Sequence, residues 1–399
     1  MAQSLVYAID VGTTKIVAVA GRSDGRGAAE VLAMGESASH GLKRGVVVDR
    51  EAAAKSIARA IDACGVVGGP VSVGIAGSHI TSFNTEVTLL NRSRNLTITE
   101  KFLQRLDEEA HRLDLDEDQQ VIHVIPRGYV LDGSEGVTHP LGLAARRVTL
   151  RAHVVSGAVF SIQNLLQAVE DTGVTVSRVV LEPLAAAESC ISEAEREAGV
   201  ALLDVGGGTS DIAAFVGGVL THTAIIPIGG ESFTSDVSYG LKVPFDAAER
   251  LKRRYGTVLP KIVDPVAAIK LDRRYYNAHF MSQILEYRAR EVLDYARESL
   301  LAARVKNRLP GGIVLTGGGS QLNGLVELSE EVLGMRARTV KPQYWRGNPK
   351  LLSKPQYATA AGLLYFSTED HNVESQGKGA APTSFGSIVS AIKSWFRGG

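Results

Sequence analysis

The sequence predicts an α/β protein of two related lobes, with a small α+β module inserted into the first lobe and an amphipathic helix at the C-terminus. Three observations carry this expectation. Leu202-Leu203-Asp204-Val205-Gly206-Gly207-Gly208-Thr209-Ser210-Asp211-Ile212 is an apolar strand ending in a carboxylate, a glycine turn and a second apolar strand. Tyr7-Ala8-Ile9-Asp10-Val11-Gly12-Thr13-Thr14-Lys15-Ile16-Val17-Ala18-Val19 repeats that order, with Asp10 aligned to Asp204, Val11 to Val205 and Gly12 to Gly206. Composition changes twice, at about 83–156 and again beyond Phe366.

The two turns suit an anion. Glycines strip side chains from the bend, so backbone N–H groups can close on phosphate, and Thr13, Thr14, Thr209 and Ser210 add hydroxyl donors. Lys15 adds a compact charge. Asp10 and Asp204 stand where a metal ion on that phosphate needs hard oxygen ligands. A glycine hairpin without ligand is the competing reading of either turn alone; its recurrence points to two lobes gripping one phosphate chain. Neither turn is the strand–GxxxxGK[ST]–helix loop or a GxGxxG opening a helix.

The 399 residues leave room for two to four compact units. Net charge is zero, so no global field favours nucleic acid. Cys64 and Cys190 lie far apart without a CxxC, which reads as two small buried thiols in a reducing setting. The chain enters a strand at once, without a signal-peptide pattern. Its apolar runs fall short of the roughly 20 residues that span a bilayer. The nine histidines show no metal-ligand spacing, and no Ser-His-Asp or Cys-His arrangement stands out.

In chain order, 4–37 alternates strands and turns, and Gly41–Asp49 is a turn and short strand. A helix is expected from Arg50 to Ala63, capped by Asp49, with Ala54, Ile57, Ala58 and Ile61 on one face; Val71–Ile75 is a strand. The module, 83–156, should hold strands near 84–91, 119–130 and 147–155 and a helix over Glu100–Leu113, capped by Thr99, with Phe102, Leu106, Ala110 and Leu113 buried. A single elaborated domain is the alternative to an insertion. A helix over Ser161–Ala168 and a strand over Ser177–Leu181 follow, and Glu182 opens the next helix. A carboxylate there can orient a water or simply favour a helix N-terminus.

Gly218–Ile228 reads as a strand pair, with a helix beginning at Gly229-Gly230-Glu231. Asp246–Arg254 is a charged helix whose ordinary reading is a solvated face. A long helix spans about 276–305, with Ile284, Val292, Tyr295, Ser299 and Leu300 marking its inner stripe. Ile313–Ser320 is a third strand-to-glycine turn, through Gly317, Gly318 and Gly319, ahead of a helix near 323–333 whose N-terminus can meet a nucleotide. Tyr357–Leu363 is a small-residue helix suited to close packing.

Residues 367–383 read as a flexible linker, reaching roughly 20–25 Å as coil. In 384–399, Phe385, Ile388, Val389, Ile392, Trp395 and Phe396 recur at helical spacing, with Lys393 and Arg397 beside them. The stripe is about 18 Å long at 1.5 Å per residue, too short to span a bilayer. It can lie in the membrane interface with its cations near anionic headgroups, or dock on the protein's own core; the linker before it argues for the membrane.

Five stretches in this order resemble the actin/Hsp70/sugar-kinase superfamily: Asp10–Lys15 and Leu203–Asp211 its phosphate turns, Glu182–Ala186 and Tyr357–Leu363 its connecting helices, and Leu315–Ser320 its adenosine turn. Glu249, Lys252 and Arg253 fall on its Glu-x-x-Lys-Arg pattern around adenine and ribose. Within the superfamily the chain resembles the bacterial FtsA family over nearly its whole length, through Gly41–Val47, Gly77–Ile80, His123–Tyr129, Pro140–Leu143, Ile228–Glu231, Thr316–Gly319 and the tail. Arg127-Gly128 departs from the polar or acidic residues that relatives often carry there.

The resemblance implies a two-lobed actin-like ATPase fold: a first-lobe core (1–82 and 157–198), the inserted subdomain called 1C (83–156), a second-lobe core (199–240 and 306–366) and its small subdomain (241–305). It implies ATP and Mg²⁺ as cofactors. Asp10, Gly12, Thr13, Thr14 and Lys15 would face Asp204, Gly206, Gly207, Gly208 and Thr209 across the phosphates, with Gly230 and Gly317–Gly319 near the nucleoside. Asp10 and Asp204 would position Mg²⁺ mostly through water, and Glu182 would orient a hydrolytic water in an ATPase that is slow at most. Implied partners are the FtsZ C-terminal peptide on 240–305 with Arg288 a contact, further copies of the chain, other division proteins at the inserted module, and membrane lipid; nucleic acid is not among them. The implied location is the cytoplasmic face of the membrane at the division site. A pilus-assembly adaptor and a small-molecule kinase are the rival readings. A chaperone would need a substrate domain for which no residues remain.

Overall fold

The computed structural model describes residues 4–23, 29–65, 68–272, 274–343, 346–348 and 350–374. The first lobe opens with β1 (Ser4–Val11), β2 (Lys15–Ser23), β3 (Ala29–Ala38), the short hairpin β4 (Leu42–Lys43) and β5 (Val46–Val47), α1 (Arg50–Cys64) and β6 (Val71–Ile75). The inserted module is β7 (Ile80–Leu90), α2 (Glu100–His111), β8 (Gln119–Leu131), β9 (Ser134–Val137) and β10 (Arg147–Ala158). Then come α3 (Val159–Glu170), β11 (Val176–Leu181), α4 (Glu182–Cys190) and α5 (Glu193–Ala198). The second lobe holds β12 (Val200–Val205), β13 (Ser210–Val216), β14 (Val219–Ile226), α6 (Gly230–Leu241), α7 (Phe245–Tyr255), β15 (Ala268–Leu271), β16 (Arg274–Asn277), α8 (Ala278–Ala302), β17 (Ile313–Thr316), α9 (Leu325–Leu333) and β18 (Ala337–Thr339). Strand β19 (Arg346–Gly347) returns to the first lobe, and α10 (Ala358–Glu374) closes the described chain.

The lobes are copies of one plan. In each, three strands pair antiparallel in sequence order, and the first of them pairs on its other side with a parallel strand. The first sheet runs β11-β6-β1-β2-β3-β19 and the second β14-β13-β12-β17-β18. Between them α4 packs on α10; one apolar core runs from the first lobe through these helices to one face of the second-lobe sheet, including Leu202, Ala213 and Phe215, and a second core fills the other side of that sheet. The approach of these helices is set by Gly362: a methyl placed there would lie 1.7 Å from the Ala185 carbonyl oxygen. Gly362→Val is therefore expected to cost more than about 3 kcal/mol of stability, read as a lowered urea midpoint.

The module is a four-stranded sheet, β7-β10-β8-β9, with a third apolar core that receives Phe102, Leu106 and Ala110 of α2. Thr99 caps α2 by accepting from Phe102 N–H, and Asp49 caps α1 by accepting from Ala52 N–H.

Several sequence expectations shift. The buried face of α1 is Ala53, Ser56, Ile57, Ala60 and Cys64; Ala54, Ala58 and Ile61 are half-buried, because an alanine-rich run gives little periodic contrast. Gly218–Ile228 supplies one strand, β14, whose partner is β13 rather than a second strand of its own. The long helix starts at Ala278, since Tyr276 belongs to β16 and pairs with Ile269. Its inner stripe is Met281, Leu285, Ala289, Val292, Leu293, Ala296 and Leu300, while Tyr295 is exposed.

The linker begins later than expected. α10 runs to Glu374, and Ser367 and Thr368 are buried. Their polarity hides the helix because hydrogen bonds replace the lost water: the Ser367 hydroxyl sits 2.9 Å from the Tyr7 carbonyl oxygen and 2.8 Å from Ser72 Oγ. The rest of the linker and the amphipathic stretch (Phe385, Ile388, Val389, Ile392, Lys393, Trp395, Phe396 and Arg397) lie outside the described residues.

Candidate functional site

The two Asp-led hairpins end strands of different sheets and meet across the gap between the lobes. Register pairs Asp10 with Val17 and Val11 with Ile16 in one, and Asp204 with Asp211 and Val205 with Ser210 in the other. A methyl on Gly207 would lie 2.4 Å from Thr14 Oγ1, and one on Gly208 would lie 2.4 Å from Thr13 Oγ1. Only residues without a side chain let the turns approach this closely. The amides of Thr13, Thr14, Gly207 and Gly208 have no backbone acceptor among the described residues. Two turns whose amides are not spent on backbone pairing thus meet at one narrow gap.

Carboxyl groups crowd the floor of that space. Asp10, Asp204 and Asp211 are buried, and Glu182 at the start of α4 keeps only part of its surface open. Burial first, then the charge of Asp10, pushes Asp204 up to about 6. Burial and the neighbouring Asp204 hold Asp211 well above the ordinary carboxylate range. Glu182 is raised well above its ordinary value by burial and then by Asp10, Asp211 and Asp204. Asp10 is raised by burial, against the opposing charge of Lys15 at 3.6 Å. Each carboxyl is driven toward its neutral form first by burial, and the Lys15 charge beside Asp10 offsets only part of that push.

Asp211 Oδ1 is buried without a hydrogen-bond partner, while Thr359 Oγ1 donates to Asp204 Oδ2 at 3.2 Å. No group of three His, Cys, Asp or Glu side chains among the described residues is close enough to cage a metal. A divalent cation here fits as one held by Asp10 and Asp204 through water and by oxygens of its ligand, not by a protein cage.

Other expected residues fall around this centre. The Lys15 ammonium lies 5.4 Å from the centre of the Tyr357 ring, and the Tyr357 hydroxyl bonds Glu36. Gly317 abuts Asp204, Gly319 lies beside Val205, and Gly318 is exposed next to Gln356. Gly230 N–H donates to the Gly206 carbonyl at 2.9 Å, so the start of α6 is fastened to the second turn. Lys252 Nζ donates to Gly230 O at 2.8 Å and to Thr234 Oγ1 at 2.7 Å, and pairs with Glu249 at 2.7 Å. Arg253 is exposed.

Arg288 stands apart from the cleft, on α8, with Nε 2.6 Å from Asp236 Oδ2 of α6 and a further pairing to Glu291. These carboxylates already engage its guanidinium.

Sequence reasoning missed the tip of the β4–β5 hairpin. Arg44 and Gly45 both have positive φ, 50° and 76°, the two-residue turn that favours glycine and asparagine. Gly45 N–H donates to Thr13 Oγ1 at 3.0 Å, and a methyl on Gly208 would come 3.0 Å from Arg44 Cα. The tip is wedged between both turns. Its sequence signal was Arg-Gly between Leu42-Lys43 and Val46-Val47.

Comparison with known proteins agrees with this architecture. The family model for cell division protein FtsA matches residues 201–362, and that for the SHS2 domain inserted in FtsA matches residues 77–156. The chain is 35% identical to cell division protein FtsA of Pseudomonas aeruginosa, over 99% of this chain and 98% of that one. It is 31% identical to the Escherichia coli K12 protein of the same name, over 99% and 98%. The Bacillus subtilis protein is 30% identical, over 93% of this chain and 85% of its own length. Among solved structures, a PilM–PilN type IV pilus biogenesis complex aligns with TM-score 0.70 at 17% identity, covering 91% of this chain and 98% of that chain. MreB5 of Spiroplasma citri bound to ADP aligns with TM-score 0.55 at 14% identity, covering 94% and 99%. Identities this low establish the actin-like fold and nothing finer.

Proposed function

The chain belongs to the FtsA family of cell division proteins, and from that premise we propose that it binds ATP with Mg²⁺ between its lobes and, as a membrane-tethered polymer, joins the FtsZ ring to the cytoplasmic face of the membrane. One observation carries the nucleotide reading: two hairpins with free amides, in contact across a gap floored by carboxyl groups short of positive charge.

Thr13, Thr14 and Lys15 hold phosphate oxygens from one side, and Gly206–Thr209 from the other. Mg²⁺ held by Asp10 and Asp204 would supply positive charge to a carboxyl cluster that has only Lys15 beside Asp10, and the nucleotide would bring the phosphoanhydride bond that hydrolysis would cut. Glu182 accepts a proton from a water on the open side of the cleft only when ionised. Its raised pKa, from burial and three neighbouring carboxyls, leaves it a poor base until countercharge arrives, in keeping with slow turnover at most. Gly230, Glu249, Lys252, Arg253 and Gly317–Gly319 frame the nucleoside end. Lys15→Ala is expected to weaken ATP affinity about tenfold or more by isothermal titration; unchanged affinity contradicts the assignment.

The partner surfaces follow from the same premise. The FtsZ C-terminal peptide docks on the small subdomain at α8, where Tyr287 is 84% exposed beside Arg288, with Tyr239 of the adjoining α6 88% exposed near its partner Asp236. An acidic peptide group would compete there for Arg288. The inserted module takes other division proteins or the next subunit. Among the described residues no helix is long and apolar enough to cross a membrane. The tether assigned to Phe385–Arg397 rests on the helical spacing of its apolar residues: a stripe of that length, too short to span, would grip lipid at the interface weakly as a single copy and firmly as a polymer, through avidity. A chain ending at Pro382 should lose co-sedimentation with anionic liposomes; equal pelleting removes the anchor.

A further inference from the structure

An edge strand leaves backbone groups that need partners. The first sheet ends in β11 and the second in β14, and the inserted module supplies side chains to both edges. Facing the first lobe, His123 Nε2 on β8 accepts from Leu181 N–H at 3.0 Å, a buried bond. Leu181 immediately precedes Glu182.

Facing the second lobe, the Ser82 hydroxyl donates to the Thr223 carbonyl at 2.8 Å, and Asn84 Nδ2 donates to the Thr221 carbonyl at 3.4 Å. With its nitrogen so used, Asn84 turns Oδ1 toward His153 Nδ1 at 2.8 Å, so Nδ1 carries the proton. His153 Nε2 is then the acceptor for the Thr223 hydroxyl, also at 2.8 Å, in a buried contact. The relay starts and ends on β14 and passes through the module. Burial holds both His123 and His153 down to about 3, so both imidazoles are neutral and keep a lone pair for these bonds. His123 lies opposite Val155 in the ladder, two residues from His153, which puts both histidines on the same face of the module sheet.

Both contacts lead to the phosphate turns. β11 passes directly into Glu182. β14 pairs Ile226 with Ser210, the Ser210 hydroxyl donates to Ile228 O at 2.7 Å, and Gly230 is fastened to Gly206.

We propose that His123 and His153 are positioning residues that strap the inserted module to both walls of the cleft, limiting how far the lobes part and how fast bound nucleotide leaves. This rests on the nucleotide reading above. Whatever binds the module then acts on a body already coupled to the phosphate turns.

The test uses the full chain and four variants: Thr223→Val, which removes the hydroxyl at nearly equal shape; His153→Ala; their double; and Thr88→Val, which breaks a hydroxyl contact to Thr149 inside the module. Deuterium uptake at residues 219–226 is measured without nucleotide, and release of a fluorescent ATP analogue by stopped flow. Thr223→Val and His153→Ala should each raise uptake and speed release about three- to tenfold, the equivalent of one buried hydrogen bond. The double should be no faster than His153→Ala, since both break one contact, and Thr88→Val should leave release unchanged. Unchanged release in the cross-lobe variants overturns the coupling, as does equal acceleration by Thr88→Val. If the wild-type chain takes no analogue, the nucleotide reading fails and the coupling with it. Uptake then judges the strap alone, and uptake unchanged by Thr223→Val and His153→Ala overturns it.

Discussion

Gly207→Ala should weaken ATP binding by a factor of about 100 while the far-ultraviolet circular dichroism stays as in the parent, because the added methyl strikes the other lobe rather than its own sheet. That methyl would sit 2.4 Å from Thr14 Oγ1 and 2.6 Å from Thr14 Cγ2. The lobes must part by roughly 1 Å to restore van der Waals contact, which displaces the opposing amides from oxygens that accept over a narrow range of distance. Shape, not charge, is altered, so the defect should be relieved from across the gap. Thr14→Gly in the same chain removes the colliding atoms, and the double variant should recover a large part of the lost affinity although a hydroxyl donor is gone. A double as weak as Gly207→Ala alone would mean that the turns do not close on a common ligand. Isothermal titration with Mg·ATP reads both.

Asp204→Asn should raise the stability of the nucleotide-free chain and abolish the stabilisation that Mg·ATP gives it. Burial and Asp10 lift Asp204 from 3.8 to about 6, so between those pH values the folded chain holds a proton that the unfolded chain has lost. Stability from this group is therefore present below about pH 4 and lost as pH rises to 6. At pH 7 the cost is complete, about 3 kcal/mol. An amide of the same shape avoids that cost and still offers an oxygen to the Thr359 hydroxyl. Melting of parent and variant should diverge more at pH 8 than at pH 5. His79, His123 and His153 act in the opposite direction. Burial lowers them to about 4, 3 and 3, so their stability is lost as pH falls below 6.5. Comparing parent with variant at each pH cancels that contribution. In the parent, Mg·ATP should raise the melting point; in Asp204→Asn it should not.

What could be read from the sequence was local. Asp10–Lys15 and Asp204–Asp211 fold as hairpins because strand, glycine and strand follow directly, and Asp49 and Thr99 cap helices three residues away. The shared cleft followed from repetition of one local pattern. What stayed hidden depends on residues distant in the chain. Ser367 looks like linker until Tyr7 and Ser72 arrive to bond it. Arg44 looks like an ordinary surface turn until the second hairpin packs against it. His123 and His153 read as strand residues of no special role, because an imidazole acquires one only when edge strands of two other sheets are brought alongside. The polar crowding of Glu182, Asp204 and Asp211 was likewise hidden, since a carboxylate's burial is a property of its neighbours.

Co-crystallisation of the chain with Mg²⁺ and a non-hydrolysable ATP analogue tests the central claim most directly. The triphosphate should lie between Thr13–Thr14 and Gly207–Gly208, with the metal reached from Asp10 and Asp204 through water. A nucleotide bound on one lobe alone, or outside the gap between the hairpins, would contradict it.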